Sequence, residues 1–253
     1  MHPFGKKSFD LFKECYIKKF NNPKIVDIGA LDINGSIKDQ INFKSEYIGL
    51  DLCKGKNVNM VLKDPYKFPL EDNSVDIVAS ISTFEHVDFF WETFTEILRI
   101  LKPHGLLFLN VPSNGPFHRH DVDNWRFYPD AGGVLVKWGK KKGFNPELLE
   151  SFTHNYSGNE GTNDFVGVFI KDSKFKENYS TRIIDQFKNF RNGKTDRDDN
   201  IINFKRLTQD QDNWGWSLFF KLNKFIYKLK KKFYEKTFRN FNSEFVVVQC
   251  WLC

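Results

Sequence analysis

Residues 110–130 bring two His, two Arg and three Asp together with a run of aromatics in twenty-one positions, Asn110-Val111-Pro112-Ser113-Asn114-Gly115-Pro116-Phe117-His118-Arg119-His120-Asp121-Val122-Asp123-Asn124-Trp125-Arg126-Phe127-Tyr128-Pro129-Asp130. A loop rarely needs that density for structure alone. An imidazole titrates near neutral pH and suits general-base work, so His118 and His120 are the candidate bases, with Asp121 or Asp123 placed to orient the ring. Arg126 can grip a phosphate or carboxylate. Asn114, Asp123, Trp125, Arg126 and Tyr128 make up the candidate substrate wall around the catalytic set His118, His120 and Asp121. The plain alternative pairs Arg126 with a nearby Asp, packs Trp125 and Phe127, and leaves one His in solvent. His118, His120 and Asp121 can also ligate a divalent metal, but adjacent positions in a flexible loop do not define a coordination shell, and no metal is expected.

That chemistry needs a scaffold. Lys24-Ile25-Val26-Asp27-Ile28-Gly29-Ala30-Leu31-Asp32-Ile33-Asn34-Gly35-Ser36 is an apolar run that meets an acid, breaks at glycine and restarts with Asn-Gly-Ser. Tyr47-Ile48-Gly49-Leu50-Asp51 then forms a second apolar run ending in Asp. This is the pattern of a βαβ unit that holds a ribosylated ligand. Gly29 can take backbone angles that a Cβ resists, which lets a ligand lie against the chain. Ser36 or Asn34 can cap a helix expected at about 34–41, whose free N–H groups attract negative charge. Asp51 can accept hydrogen bonds from two vicinal ribose hydroxyls. Because the loop lacks a three-glycine phosphate cradle, a ligand with a ribose and an amino acid but no phosphate fits better than a pyrophosphate.

These motifs, in this order, resemble the class I S-adenosylmethionine (SAM)-dependent methyltransferases, closest to the small bacterial methyltransferase-11-like enzymes whose first motif reads Asp-x-Gly-x-x-Asp-x-Asn-Gly-Ser. The resemblance covers about residues 20–171. It implies that Asp27 and the loop of Gly29, Ala30, Asn34, Gly35 and Ser36 hold the methionine part of SAM. By the same resemblance Asp51 and Leu52 bind the ribose, Asp64 sits beside the adenine, and Ser80 and His86 complete the cofactor set. Phe68-Pro69-Leu70-Glu71-Asp72-Asn73-Ser74-Val75-Asp76-Ile77-Val78 resembles the family's run into strand four. Leu98-Arg99-Ile100-Leu101-Lys102-Pro103-His104-Gly105-Leu106-Leu107 resembles the helix and turn before strand five, with His104 at a usual glycine. Glu85-His86-Val87 resembles a feature near the cofactor's amino-acid end, and a capping Glu beside a packed His is the alternative. The His…Asp…Trp-Arg-Phe-Tyr-Pro-Asp pattern after strand five resembles the family's substrate-side segment.

Methyl transfer is an in-line displacement at a sulfonium carbon, so the protein mainly aligns acceptor, methyl and sulfur. Only the acceptor's proton needs chemistry. A sugar hydroxyl is a weak acid that benefits from a base such as His118 or His120. The strand-four loop Ser80-Ile81-Ser82-Thr83 is not the Asn/Asp-Pro-Pro-aromatic turn of enzymes that methylate exocyclic base amines, so no nucleic acid is expected. The acidic pair of magnesium-dependent catechol-type enzymes is missing too. Family relatives with this loop are associated with cell-surface glycan assembly. The resemblance therefore implies O-methylation of a sugar, nucleotide-linked sugar or phosphorylated precursor in bacterial capsule or lipopolysaccharide synthesis, yielding S-adenosylhomocysteine (SAH). A non-sugar or lipid-linked acceptor at the membrane is a second reading, and a catalytically silent SAM-binding or partner-binding module a third.

The expected fold is α/β, a Rossmann-like doubly wound seven-stranded sheet with a helical, basic C-terminal appendage. Three parts follow: a cap helix in residues 1–22, the SAM-binding core in 23–171, and the appendage with a final strand in 172–253. Phe9, Phe12, Tyr16 and Phe20 share a helical face over 8–20, while 129–142 reads as a helix and 148–153 with 164–170 as an antiparallel pair. Residues 172–253 carry 17 Lys and Arg against 10 Asp and Glu, whereas 1–171 carry 21 against 22. The positive charge belongs to the tail. Residues 192–200 read as a polar linker, 217–238 as a basic amphipathic helix, and 244–251 as a last strand. A basic amphipathic helix in 214–241 offers a peripheral contact with an anionic membrane, or packs its apolar face on protein. Cys15, Cys53, Cys250 and Cys253 are too scattered for a disulfide framework, and residues three apart on a strand face opposite sides, so Cys250 and Cys253 share no metal. No apolar run approaches the roughly 20 residues that span a bilayer, and Met1–Lys7 lacks a signal-type stretch. A cytoplasmic protein, with a peripheral site at the inner membrane face, is the expectation.

Overall fold

Apolar strands alternating with amphipathic helices assemble here into one mixed sheet with a helical layer on each face. The computed structural model describes residues 3–33, 35–119, 121–155, 163–208 and 214–238. The strands are β1 (Lys24–Ile28), β2 (Glu46–Asp51), β3 (Met60–Val61), β4 (Val75–Ile81), β5 (Leu101–Pro112), β6 (Glu147–His154), β7 (Asp164–Ile170), β8 (Phe190–Thr195) and β9 (Asp198–Ile202). The helices are α1 (Pro3–Cys15), α2 (Phe90–Ile100), α3 (Ala131–Lys141), α4 (Ile183–Gln186) and α5 (Trp214–Phe238). Strand order is β3-β2-β1-β4-β5-β7-β6-β8-β9. The first five strands pair in parallel, and β7, β6, β8 and β9 continue antiparallel.

Period-two alternation divides the core. On β5, Leu107, Leu109 and Val111 join Phe94, Ile97 and Leu98 of α2 and Leu135 of α3, whereas Leu106 and Phe108 join Phe9 and Phe12 of α1 on the other face. Phe12 stacks near Phe108 with ring centroids 4.9 Å apart, so α1 packs on the sheet. Helices on both faces explain why β4 is buried along nearly its whole length.

The structure corrects the sequence expectation at three places. The sheet has nine strands among the described residues, not seven, because the segment expected as a linker at 192–200 lies in the β8–β9 hairpin. Its anchor is a buried charge: Arg182 donates through Nη2 to Asp196 Oδ1 at 2.7 Å and through Nε to the Leu149 carbonyl at 3.0 Å. The boundary expected at 171/172 therefore falls before strands of the same sheet, and the first compact unit runs to Gln209 with a second from Asp210. The helix expected at 34–41 is a single short turn, Ile37–Gln40. Gly35 enters it with a left-handed φ of 102°, and among its apolar side chains only Ile37 is buried, so no amphipathic face extends it.

Within the second unit, Leu218, Leu222, Phe225, Ile226 and Leu229 of α5 are exposed. No described helix is long and apolar enough to cross a membrane. The strand expected at 244–251, with Cys250 and Cys253, lies outside the described residues, as do Asn34, His120 and 239–241.

Candidate active site

Because β1 lies between β2 and β4, the chain leaves it in opposite directions and opens a crevice beyond its carboxyl end. A cleft of about 1150 Å³ occupies that place. Its walls include Asp27, Gly29, Ala30, Gly35 and Ser36 from the end of β1 and its loop, and Asp51 and Leu52 from the end of β2. His86, His118, Arg119 and Asp121 line it from the loops after β4 and β5.

Gly29 is required here. Its φ is 80°, and a Cβ would lie 2.0 Å from Thr83 Oγ1. The Gly29 and Ala30 N–H groups donate to the Leu50 carbonyl at 3.0 and 3.1 Å, which ties the loop to the end of β2. Asp51 accepts from Leu31 N–H through one oxygen at 3.0 Å and from Cys53 N–H through the other at 2.9 Å. A carboxylate has about four acceptor sites, so this clamp leaves capacity for ribose hydroxyls. Asp27 is buried and accepts from the Tyr47 hydroxyl at 2.8 Å. Burial pushes its carboxyl up to about 7, against the downward pull of that hydrogen bond. Leu62, Pro65 and Phe68 add an apolar wall. A close-approach glycine, a ribose-type carboxylate and an apolar wall without a phosphate cradle fit SAM. Sequence reasoning missed Thr83, Leu62, Pro65 and Phe68, whose only local signal was proximity to the expected motifs.

Two expected cofactor residues stand elsewhere. Asp64 is absent from the cleft wall and accepts from Tyr66 N–H at 2.8 Å, closing its own turn. Ser80 is fully buried within β4 and does not line the cleft. Ser36 caps the short turn, accepting from Lys38 N–H at 3.1 Å, and Gly35 N–H donates to Asp32 Oδ1 at 2.7 Å.

On the opposite wall the candidate substrate residues divide. Asp123 has a fully buried side chain, and Arg126 holds it with Nη1 at 2.6 Å from Oδ1 and Nη2 at 2.8 Å from Oδ2. The guanidinium keeps that carboxyl well below the usual range. Arg126 also donates to the carbonyls of Pro116 and Trp125, so it braces the loop instead of standing ready for a substrate anion. Asp123 also accepts from His118 N–H at 2.8 Å and lies 3.5 Å from His118 Nδ1. Trp125 donates from its indole to the Val87 carbonyl at 3.0 Å, joining the two loops. Asn114 and Tyr128 line a separate cavity of about 290 Å³ with Arg191 and Phe204. His118 and Asp121 face the cofactor cleft; Asn114 and Tyr128 do not.

The strand order, switch-point cleft and antiparallel continuation define an α/β Rossmann-like fold of the methyltransferase type. Residues 27–109 match the family described as a methyltransferase domain. An uncharacterized methyltransferase of Mycobacteroides abscessus is 35% identical over 79 residues, 31% of this chain and 30% of that protein. Another from Mycobacterium bovis is 46% identical over 55 residues, 21% of this chain and 22% of its own. The chain thus spans under a third of the length of these curated relatives. Among solved structures, the (4+2)-cyclase SpnF superposes with a TM-score of 0.50 at 12% identity, covering 66% of this chain and 81% of that one. That likeness concerns the fold. The matched family segment ends at 109, before the loop that carries His118 and Asp121.

Proposed function

We propose that the chain transfers a methyl group from SAM to a hydroxyl of a small molecule, with a sugar, nucleotide-linked sugar or phosphorylated precursor of bacterial surface polysaccharide as the acceptor class. The observation that carries this reading is one continuous cleft with two unlike walls. Gly29, Asp51 and Leu62 offer a nucleoside-type wall, and His86, His118 and Asp121 a polar wall opposite. SAM bound there supplies an electrophilic methyl group. Asp27 and the Gly29 loop take the amino-acid end, Asp51 and Leu52 the ribose, and His118, His120 or Asp121 the acceptor's proton. Since Arg126 is committed to Asp123, Arg119, which lines the cleft, is the cation assigned to a substrate phosphate.

Calorimetry with SAM and SAH tests the first half of this reading, and absence of binding by both defeats it. Turnover of labelled SAM with pooled nucleotide sugars tests the second. Single substitutions His118→Ala, His120→Ala and Asp121→Ala are expected to cut it about 10²–10⁴-fold where they remove proton transfer. Unchanged turnover in all of them defeats the acceptor site. The exposed apolar row on α5, interleaved with Lys221, Lys224 and Lys228, supports a second reading in which the acceptor is lipid-linked and the helix lies on an anionic membrane.

A further inference from the structure

The loops after β4 and β5 converge on one point of the polar wall. Glu85 and His86 from the first and His118 from the second each present a ligand atom, all within 4.8 Å of one another. We propose that Glu85, His86 and His118 hold a divalent first-row transition-metal ion at the acceptor end of the cleft. Two imidazoles and one carboxylate form the donor set that such ions favour, and three ligands among the described residues leave coordination positions open.

The surroundings of these three residues support this site. Glu85 is only 1% exposed, and its Oε2 accepts no hydrogen bond among the described residues. A buried carboxylate oxygen without a partner is costly, and a cation relieves that cost. His86 Nδ1 lies 2.5 Å from the Val122 carbonyl, so it carries the proton and places the lone pair on Nε2, which is 3.7 Å from Glu85 Oε1. A backbone carbonyl fixing the far nitrogen is the usual support of a ligating imidazole. The His118 backbone N–H donates to Asp123, itself locked by Arg126, which fixes the loop that carries the ring, and the ring meets His86 edge-on at 5.4 Å. The Glu85 carbonyl accepts from the N–H groups of Asn124 and Trp125 at 2.7 and 3.2 Å, so the two loops are stitched together at the site. A simple Glu85–His86 ion pair accounts for neither Oε2 nor the arrival of His118.

His86 and His118 both line the cleft, so the ion's open positions face the acceptor space. A hydroxyl bound there becomes more acidic and gives its proton to Asp121, which lines the same cleft, or to solvent, so His118 acts as a ligand instead of the base. This role, though not the binding of the ion, rests on the methyltransferase reading above.

The full-length chain, stripped with a chelator, is titrated with Co²⁺ and followed by visible absorbance. A single saturable ion per chain with ligand-field bands and no thiolate charge-transfer band is expected. Affinity should fall about tenfold or more in His118→Ala and in the near-isosteric Glu85→Gln, and hold in His104→Ala and Cys53→Ser. Absence of saturable binding, a thiolate band, or Co²⁺ affinity unchanged in both site variants overturns the proposal. SAH calorimetry on the same samples separates the readings. Co²⁺ binding that is absent or insensitive to these substitutions, beside intact SAH binding, defeats the metal site alone. Absent SAH binding with a substitution-sensitive Co²⁺ site defeats the methyltransferase reading alone.

Discussion

Asp51 and Asp27 stand on the same wall of the cleft but in different electrostatic settings, and each leads to its own prediction. Asp51 spends one acceptor site of each oxygen on the backbone. If the others take ribose hydroxyls, Asp51→Ala lowers SAH affinity by about 10–100-fold, the equivalent of about 1.5–3 kcal/mol for hydrogen bonds to a charged group. Calorimetry that finds equal affinity removes the ribose role. Asp27 titrates near 7 instead of its ordinary 3.8 because it is buried. The folded chain therefore holds this proton more tightly than the unfolded chain. That stabilisation is complete below 3.8 and is lost as pH rises through about 7. The cationic amino group of SAH prefers the ionised carboxyl, so its affinity should climb with pH, by up to about tenfold per unit, and level off above 7. Asp27→Asn should flatten both profiles in calorimetry and in urea unfolding; profiles that keep their slope assign the titration to another group.

At the scale of elements, a buried ion pair anchors the β8–β9 hairpin beside the buried Phe190 of β8. All five residues of β9 are exposed, while Arg182 and Asp196 have side-chain exposures of 3% and 6%. Removing one partner leaves the other charge buried, so Arg182→Leu should cost about 3–5 kcal/mol in urea unfolding. A loss below about 1 kcal/mol, the range of an exposed pair, places the anchor elsewhere. The hairpin was illegible in the sequence for this reason: polar residues on an edge strand read like a linker, and Arg182 reaches Asp196 across fourteen positions. The missing 34–41 helix has the converse cause. Ser36 caps the turn as its type predicts, but nothing on the core face sustains a second turn.

At the scale of the whole molecule, the nine strands among the described residues and the lining of the main cleft fall within residues 1–209. A chain ending at 209 should keep the circular dichroism of a folded α/β protein and the SAH affinity of the full chain. Loss of SAH binding on truncation assigns the second unit a part in the cofactor site. Flotation with anionic liposomes should recover the full chain and not the truncated one, since the lysines and exposed apolar row of α5 go with the deleted segment. Equal recovery removes the membrane reading.

The sequence by itself marked Asp27, Gly29 and Asp51 as candidates, and the structure gathers all three on one wall of the cleft. Asp27, Gly29 and Asp51 are legible because they lie close to their own strand ends, where a loop glycine or a strand-terminal acid is a local signal. Only the tertiary structure decided how the opposite wall of the cleft is arranged. Whether Arg126 met a substrate or Asp123, whether Tyr128 faced His118 or a second cavity, and whether Glu85 capped a helix or met two imidazoles all depended on where two loops crossed. Residue type and spacing specify what a side chain can do. Its partner from a distant loop is set by the packing of the whole sheet.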